Sequence, residues 1–196
     1  MSAFQSIIVK EQSGKDVRVE ANPAGLLCIG TGRQGAVFKI SSTTCVKIFG
    51  DPKKKEQEEI VLWTAQNSPF FPKIYETGST YIVMELIDGE PLNKYLDREK
   101  YIPKWLTLQI LLMIKELKNL NLARHDARLR HIYVLENEQR IKVIDHVNSG
   151  TTFISQPKKL FQGLKKCGVL SDFLNQTQEI DIDTYDEWKK TMRKFF

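Results

Sequence analysis

The stretch ARHDARLRHIYV gathers side chains that can carry acid–base or metal chemistry. It holds two of the three histidines of the chain, His125 and His131, and the third, His146, follows in KVIDHVNSG. Asp126 adjoins His125, and Asp145 adjoins His146. Imidazole and carboxylate groups both bind metal ions, so one hypothesis is a metal site built from the histidines. The other hypothesis is that the aspartates carry the chemistry.

Each aspartate stands where a carboxylate could act on a bound ligand. Asp126 comes between a long apolar segment and a strand-like run, which predicts a loop held by two rigid elements. The same position suits an aspartate that only makes a turn or caps a helix. Asp145 ends the apolar run IKVID, where an aspartate either starts a turn or binds a cation beside nucleotide phosphates. The residues alone leave these alternatives open.

A glycine-rich segment, GTGRQGAVF, contains Gly30, Gly32 and Gly35 with Val37 after them. Glycines at this spacing let backbone N–H groups approach phosphate oxygens. A dinucleotide-binding loop would lead directly into a helix, and a P-loop would contain GK[ST]. Here the strand-like run AVFKI follows instead. The order strand, loop, strand favours a flap that covers phosphates, with a plain glycine-rich hairpin as the alternative.

Lys47 interrupts the apolar strand CVKIF. It is either the exposed position of an alternating strand or a partly buried lysine, which needs a counter-charge. The next segment, DPKKKEQEEIVLWTAQ, predicts a helix that starts at Asp51 and Pro52. Apolar residues follow Glu58 at three and four positions, on nearly the same face of the helix. Glu58 is therefore the preferred partner of Lys47. Glu59 is the rival, since apolar residues follow it at the same offsets.

The elements that must position these residues form a β-rich half and a helical half, joined near Gly89. Residues 5–20 predict a hairpin or two short strands, and further short strands are predicted in GLLCIG, AVFKI, TTCVKIF, FPKIYETG and TYIVMELIDG. After them come a short helix, PLNKYLDR, and a long helix over 104–122 that is apolar nearly all round. The segment HIYVLENEQRIKVID predicts a second hairpin. Two more helices are predicted after Gly150, in PKKLFQGLKKCGVLSDFLNQ and TYDEWKKTMRKFF.

Composition excludes several classes of protein. A chain of 196 residues, 41% hydrophobic and 27% charged, can form one globular domain or two small lobes. The net charge of +5 comes from scattered lysines without interleaved aromatic residues, so no nucleic-acid surface is predicted. Three distant cysteines predict neither a zinc knuckle nor disulfides and favour a reducing, cytoplasmic setting. We expect no signal peptide and no membrane span.

Taken in order, these motifs resemble the protein-kinase-like superfamily, in its small bacterial serine/threonine-kinase-like branch. The resemblance covers roughly residues 25–150. It implies an α+β, two-lobed protein-kinase-like fold that makes a single domain of residues 1–196. A β-rich N-lobe with one helix and the glycine-rich loop would span 1–88, and a reduced, mainly helical C-lobe would span 89–196.

The resemblance also assigns the nucleotide-binding residues. Lys47 would hold the α- and β-phosphates of ATP, with Glu58 as its partner from the helix. Met84 would be the gatekeeper, and Glu85 and the backbone of Ile87 would face the adenine. The full set implied is Ile29, Gly30, Gly32, Gly35, Val37, Lys47, Glu58, Met84, Glu85 and Ile87.

The resemblance also implies the catalytic and metal-binding residues, because RHDARLRH aligns with the kinase motif HRDLKPEN. Asp126 would be the catalytic aspartate, with Lys47 and Arg128 as the other catalytic residues. Asp145, over the aspartate of DFG, would bind the metal, and His131 replaces the asparagine that is the usual second ligand. The implied cofactors are ATP and Mg²⁺, with Mn²⁺ as an alternative because imidazole suits it better.

Several departures bear on the activity. Asp145-His146-Val147 lacks the glycine of DFG, His125 takes the place of an arginine, and no APE segment is visible. Only 46 residues follow Gly150, too few for the usual peptide-docking helices. The acceptor is therefore left open between a protein and a small molecule.

The expected function is that of an ATP-dependent serine/threonine-protein kinase, which moves the γ-phosphate of ATP to a hydroxyl acceptor. The main alternative is an ATP-binding pseudokinase with a scaffolding or regulatory role. A small-molecule kinase and a metal-dependent phosphohydrolase of the His-Asp kind are further alternatives. The expected partners are a nucleotide and an acceptor of one of these two kinds, with no nucleic acid and no membrane.

Overall fold

The computed structural model describes residues 3–122, 126–144 and 156–195. The chain divides into two compact units. One consists of Met1–Asn67 with Phe71–Asp88, and the other of Ser68–Phe70 with Gly89–Phe196. The first unit is rich in strands and the second in helices, which confirms the predicted α+β class.

The first unit is built on a five-stranded antiparallel sheet. In spatial order its strands are β3 (Cys28–Thr31), β4 (Gly35–Lys39), β5 (Thr44–Phe49), β7 (Tyr81–Glu85) and β6 (Ile74–Thr77). A 3₁₀ turn, Ala3–Ser6, and a separate hairpin of β1 (Ile8–Gln12) and β2 (Lys15–Ala21) precede the sheet, and helix α1 (Pro52–Thr64) connects β5 to β6. The predicted hairpin, strands and helix are therefore present.

The sheet has two different faces because side chains alternate along each strand. One face is buried beneath the β1–β2 hairpin. The core on that side consists of Phe4, Ile7, Val9, Val17, Ala36, Phe38, Val46, Ile48 and Val83. On the intervening positions, Val37, Lys47 and Ile82 lie next to one another in register. Lys47 therefore belongs to the face that the hairpin does not cover.

Helix α1 starts where its sequence predicts. Asp51 caps it by accepting a hydrogen bond from the Lys53 N–H at 2.9 Å, and Pro52 takes the first helical position, where a missing N–H does no harm. Glu58 lies on the buried side of the helix, whereas Ile60 and Trp63 are exposed. The buried side therefore presents a carboxylate to the rest of the unit.

The second unit combines helices with a small sheet. Its helices are α2 (Leu92–Glu99), α3 (Lys104–Asn119), α4 (Lys158–Lys166), α5 (Leu170–Ile180) and α6 (Ile182–Thr191). The sheet, in spatial order, consists of β10 (Arg140–Val143), β9 (Ile132–Leu135) and β8 (Glu90–Pro91). Phe70 joins this unit because its carbonyl accepts the Val143 N–H at 2.7 Å. No helix among the described residues has the length and apolar character needed to span a bilayer.

Two of the helix predictions are wrong in detail. The segment 157–176, predicted as one helix, forms α4 and α5, because Gly168 adopts φ +76° and ends α4 in the left-handed conformation that glycine favours. Helix α3 ends at Asn119 instead of 122, and its apolar surface is not buried on every side, since Leu108 and Leu112 are each 41% exposed. One side of α3 is therefore an ordinary partly exposed surface.

Asp181 joins three helices of the second unit. Its side chain caps α6 by accepting hydrogen bonds from the Thr184 N–H at 3.1 Å and the Thr184 hydroxyl at 2.8 Å. Lys115 Nζ of α3 lies 2.8 Å from Asp181 Oδ2, and the Asp181 N–H donates to Thr177 at the end of α5. Burial disfavours the charged form, but the hydrogen bonds from Lys115 and Thr184 outweigh it and lower the pKa of Asp181.

Asp181→Ala should reduce the free energy of unfolding by about 1–2 kcal/mol at neutral pH, through the lost cap and ion pair. Because the folded-state pKa of Asp181 lies below the unfolded value, its contribution is present above the unfolded pKa and disappears as the pH falls through the folded one. Urea unfolding at neutral pH and near pH 3 measures this difference. Asp183→Ala, an exposed change in the same helix turn, is the control, and an equal loss from Asp181→Ala at both pH values would contradict the assignment.

Candidate functional site

Lys47 and Glu58 form a sheltered ion pair in the first unit. Lys47 Nζ lies 2.5 Å from Glu58 Oε2, and the two side chains are 12% and 3% exposed. The ammonium also lies 4.8 Å from the centre of the Phe49 ring, a distance at which a cation is attracted to the aromatic face. Removing two charges from water is unfavourable, so such a pair is weak evidence for stability and stronger evidence for a task.

The other glutamate of the helix has a different partner. Glu59 Oε2 lies 2.6 Å from Lys55 Nζ, one helical turn earlier. Burial opposes ionisation of Glu59, but hydrogen bonds from Lys55 and Thr77 prevail and lower its pKa. Of the two glutamates that the sequence offers to Lys47, Glu58 therefore makes the pair.

The glycine-rich loop is the turn between β3 and β4. Gly32 N–H donates to the Gly35 carbonyl at 3.0 Å and closes the turn. A Cβ atom on Gly35 would lie 2.4 Å from the Ile48 carbonyl oxygen, so contact between strands explains this glycine. A Cβ on Gly30 would meet nothing within 4 Å, and one on Gly32 would meet only an atom at 3.9 Å. Packing within the described residues therefore does not explain these two glycines, and the backbone there is accessible to a ligand.

Two more of the predicted nucleotide-binding residues flank this loop. Ile29 lies on β3 with an exposed side chain, and Val37 lies on β4 directly opposite Lys47. The strand pairing thus sets an apolar side chain beside the lysine.

The segment that ends β7 supplies the remaining predicted nucleotide residues. Met84 is buried and lies opposite Cys45, and the Glu85 N–H donates to the Lys73 carbonyl at 2.8 Å. Ile87 is half-buried, and its N–H and C=O make no hydrogen bond to another residue in the part of the chain that the structure describes. That peptide backbone can therefore accept and donate hydrogen bonds to a ligand.

Cys45 lies near Lys47 but does not behave as a nucleophile. Burial raises the pKa of its thiol to about 12, against a smaller opposing effect of the Lys47 charge. The thiol therefore stays protonated at neutral pH, and only a thiolate reacts readily. Cys45 acts as a small apolar residue at the end of the sheet.

In the second unit, Asp126 caps helix α4. Its Oδ1 accepts hydrogen bonds from the backbone N–H groups of Lys159, at 2.7 Å, and Leu160, at 3.2 Å. Both groups lie in the first turn, where a helix leaves its N–H groups unpaired. Asp126 is 3% exposed. The carboxylate that is predicted to be catalytic is therefore also hydrogen-bonded to the backbone of a helix 33 residues later in the chain.

Helix α4 also packs directly on the 3₁₀ turn Leu129–His131. A Cβ on Gly163 would lie 2.5 Å from the Leu129 side chain, so only a glycine permits this approach. The cap by Asp126 and the contact at Gly163 together fix α4 against residues 126–131.

His131 and Arg128 lie at the ends of this turn. Arg130 Nε donates to His131 Nε2 at 3.0 Å, so a metal bound by this imidazole would use Nδ1 or displace that bond. The His131 carbonyl accepts the Ile144 N–H at 2.9 Å and so positions the residue before Asp145. Arg128 is exposed, with its carbonyl bonded to the His131 N–H.

Asp145 itself lies outside the described residues, as do His125, His146 and Val147. Among the residues that are described, no group of three or more His, Cys, Asp or Glu side chains could hold a metal. The assignment of Asp145 and His131 as metal ligands stays a prediction. The structure brings Lys47 and Glu58 together within the first unit and places Asp126, Arg128 and His131 in the second.

Comparison with known proteins gives a sequence relationship. No protein-family model matches the chain. Over 148 residues it is 27% identical to "Putative serine/threonine-protein kinase YrzF" of Bacillus subtilis (strain 168), covering 73% of this chain and 68% of that protein.

Among solved structures, "Structure of the Cydia pomonella Granulovirus kinase, PK-1" is similar at 19% identity with a TM-score of 0.47. The match covers 59% of this chain and 46% of that kinase, so the chain spans less than half of its length. The relationship to the bacterial protein agrees with the glycine-rich turn between two strands and with the strand lysine paired to a helix glutamate. The sequence relationship supports a place for the chain in the protein-kinase-like superfamily.

Proposed function

We propose that the chain is an ATP-dependent phosphotransferase that moves the γ-phosphate of ATP to a serine or threonine hydroxyl of a protein. The observation that carries this proposal is the sheltered Lys47–Glu58 pair on the sheet face that the hairpin leaves uncovered. A buried ion pair is an unfavourable way to hold a sheet and a helix together. The same ion pair can, however, keep the lysine charged and orient its ammonium group toward a phosphate.

The proposed roles follow from what phosphoryl transfer needs, which is mainly positioning and neutralisation of charge. Lys47 would bind the α- and β-phosphates, and Glu58 would hold its ammonium in place. The backbone of Ile87 would bind the adenine. Asp126, whose Oδ1 also caps α4, would orient the acceptor hydroxyl.

The metal would be Mg²⁺, or Mn²⁺ as the alternative, held by Asp145 with His131 as the second ligand. A carboxylate is a fitting ligand for either ion, and an imidazole favours Mn²⁺. When bound, the metal would neutralise charge on the phosphate oxygens. We further propose that the chain works in the cytoplasm, where ATP is available and its cysteines stay reduced.

A pseudokinase that binds ATP without transfer is the second candidate. Two observations favour it: Asp126 serves as a helix cap, and His131, at the position of the usual asparagine, has its Nε2 bonded to Arg130. Both groups have structural partners that an active enzyme would have to accommodate. Nucleotide binding is common to the two candidates, and transfer separates them.

Single-turnover assays with γ-labelled ATP test the proposal. Nucleotide binding and label transfer are measured separately, first with Mg²⁺ and then with Mn²⁺, with dephosphorylated casein and the chain itself as acceptors. We expect wild type to bind ATP and transfer the label, and Lys47→Met to lose transfer by at least about a hundredfold. Binding without transfer under either metal would support the pseudokinase, and failure to bind ATP would refute both candidates.

A further inference from the structure

The β1–β2 hairpin is bonded directly to the glycine-rich loop. The Val17 N–H donates to the Gly32 carbonyl at 2.8 Å, and the Val17 side chain is buried in the core between hairpin and sheet. The hairpin's own strands pair with each other and not with the sheet, so this bond is a separate attachment. It fixes one peptide group of the loop relative to the sheet face behind it.

The same hairpin supports a second attachment of the loop. Gly50, just after β5, donates its N–H to the Gln34 carbonyl at 3.0 Å. Strand β1 lies so close to Gly50 that a Cβ there would be 2.9 Å from the Glu11 nitrogen. Glu11 also forms an exposed ion pair with Lys54 of α1, at 3.2 Å, which contributes little by itself. The hairpin therefore contacts both the loop's second anchor and the helix that carries Glu58.

Holding these carbonyls determines where the loop's N–H groups point. In a planar trans peptide the C=O and N–H point in opposite directions. Because the Gly32 carbonyl points to Val17, the N–H of Arg33 in the same peptide points away from the hairpin. The N–H groups of Arg33 and Gln34 make no hydrogen bond to other described residues, and N–H groups of this kind bind phosphate oxygens.

We propose that the N-terminal hairpin is a positioning element for phosphate binding, in which Val17 and Gly50 orient the peptide groups of the glycine-rich loop before ATP arrives. The inference rests on the proposed nucleotide binding. It assigns a role to the β1–β2 hairpin, which lies outside the motifs that indicate nucleotide binding. A loop that is already ordered loses less conformational entropy when it binds a ligand. Val17 acts through the loop and does not touch the nucleotide.

A pair of substitutions at one position isolates the hydrogen bond. Val17→Pro removes the N–H and closes the side chain into a ring on the backbone nitrogen, so that the buried methyl groups are lost from their positions. Val17→Ala also removes these two buried methyl groups but keeps the N–H. Relative to Val17→Ala, we expect Val17→Pro to bind a fluorescent ATP analogue with Mg²⁺ about tenfold more weakly. Amide hydrogen exchange over residues 30–36, without nucleotide, should be about tenfold faster in the proline variant.

Several outcomes would overturn the proposal. Equal affinity and equal exchange in the two Val17 variants would show that the bond orients nothing, and faster exchange with unchanged affinity would show that the orientation does not serve phosphate. If thermal unfolding shows that Val17→Pro does not fold, Gly50→Ala takes its place, since it displaces β1 from Gly50, and Gln12→Ala on the exposed hairpin surface is its control. If wild type binds no ATP, the proposed function fails, and the exchange measurement alone then decides whether the hairpin orders the loop.

Discussion

Glu58→Ala should lower the free energy of unfolding by about 3 kcal/mol and reduce phosphoryl transfer by at least about a hundredfold. The substitution leaves the ammonium of Lys47, which is 12% exposed, without the carboxylate 2.5 Å away. A sheltered charge without its partner is strongly unfavourable, and it no longer has a fixed direction. Urea unfolding gives the first quantity, and single-turnover transfer from γ-labelled ATP gives the second.

The neighbouring glutamate provides a matched control. Glu59 is also paired with a lysine, but it is more exposed and its partner Lys55 lies on the same helix. Glu59→Ala should therefore change stability by about 0.5 kcal/mol and leave transfer nearly unchanged. If the two alanine variants lose the same stability and the same activity, the special role of Glu58 is refuted.

The double variant Lys47→Met/Glu58→Leu separates stability from activity. Apolar residues of similar volume often replace a buried ion pair without loss of stability. The double variant should therefore regain most of the stability that Glu58→Ala loses, while transfer remains absent. Recovery of both properties would mean that the pair holds the fold together and does nothing else.

Asp126→Ala should reduce the free energy of unfolding by about 2 kcal/mol and also abolish phosphoryl transfer. The alanine leaves the N–H groups of Lys159 and Leu160 without the oxygen that caps helix α4. Asp126→Asn keeps an oxygen acceptor at that position but removes the negative charge. We expect the asparagine variant to unfold within about 1 kcal/mol of wild type and still to lose transfer.

These two substitutions distinguish a cap from a catalytic group. Circular dichroism during thermal unfolding monitors the helix, and the transfer assay monitors the chemistry. An asparagine variant with wild-type transfer would mean that Asp126 is only a cap, and an asparagine variant as unstable as the alanine variant would mean that the negative charge itself holds α4. Asp172→Ala, at an exposed position in the first turn of α5, controls for general loss of a helix-terminal carboxylate.

Local patterns in the sequence are sufficient to predict much of the structure of the first unit. Alternation of apolar residues defines strands whose two faces differ, and the position of Glu58 on the buried side of α1 explains why it, and not Glu59, meets Lys47. The cap by Asp51 and the proline after it set the start of the helix. Each of these signals depends on residues a few positions apart, which a sequence displays directly.

Other features depend on contacts between distant segments. The sequence offered a helix cap as one role for Asp126, but nothing in it indicates that the helix is α4. The bond from Val17 to Gly32 joins two backbone groups, which every residue except proline can supply, so no residue type reveals it. The apolar spacing continues across Gly168 and therefore predicts one helix where the chain forms α4 and α5.

The cap on α4 has a thermodynamic consequence for any acceptor that approaches Asp126. One oxygen of a carboxylate cannot serve a helix terminus and a substrate with full strength at once, so the two interactions are linked in free energy. Whatever draws Oδ1 away from Lys159 and Leu160 favours fraying of the first turn of α4. By reciprocity, whatever frays that turn makes Oδ1 more available, so the order of residues 158–160 and the proposed binding of an acceptor by Asp126 would form a single equilibrium.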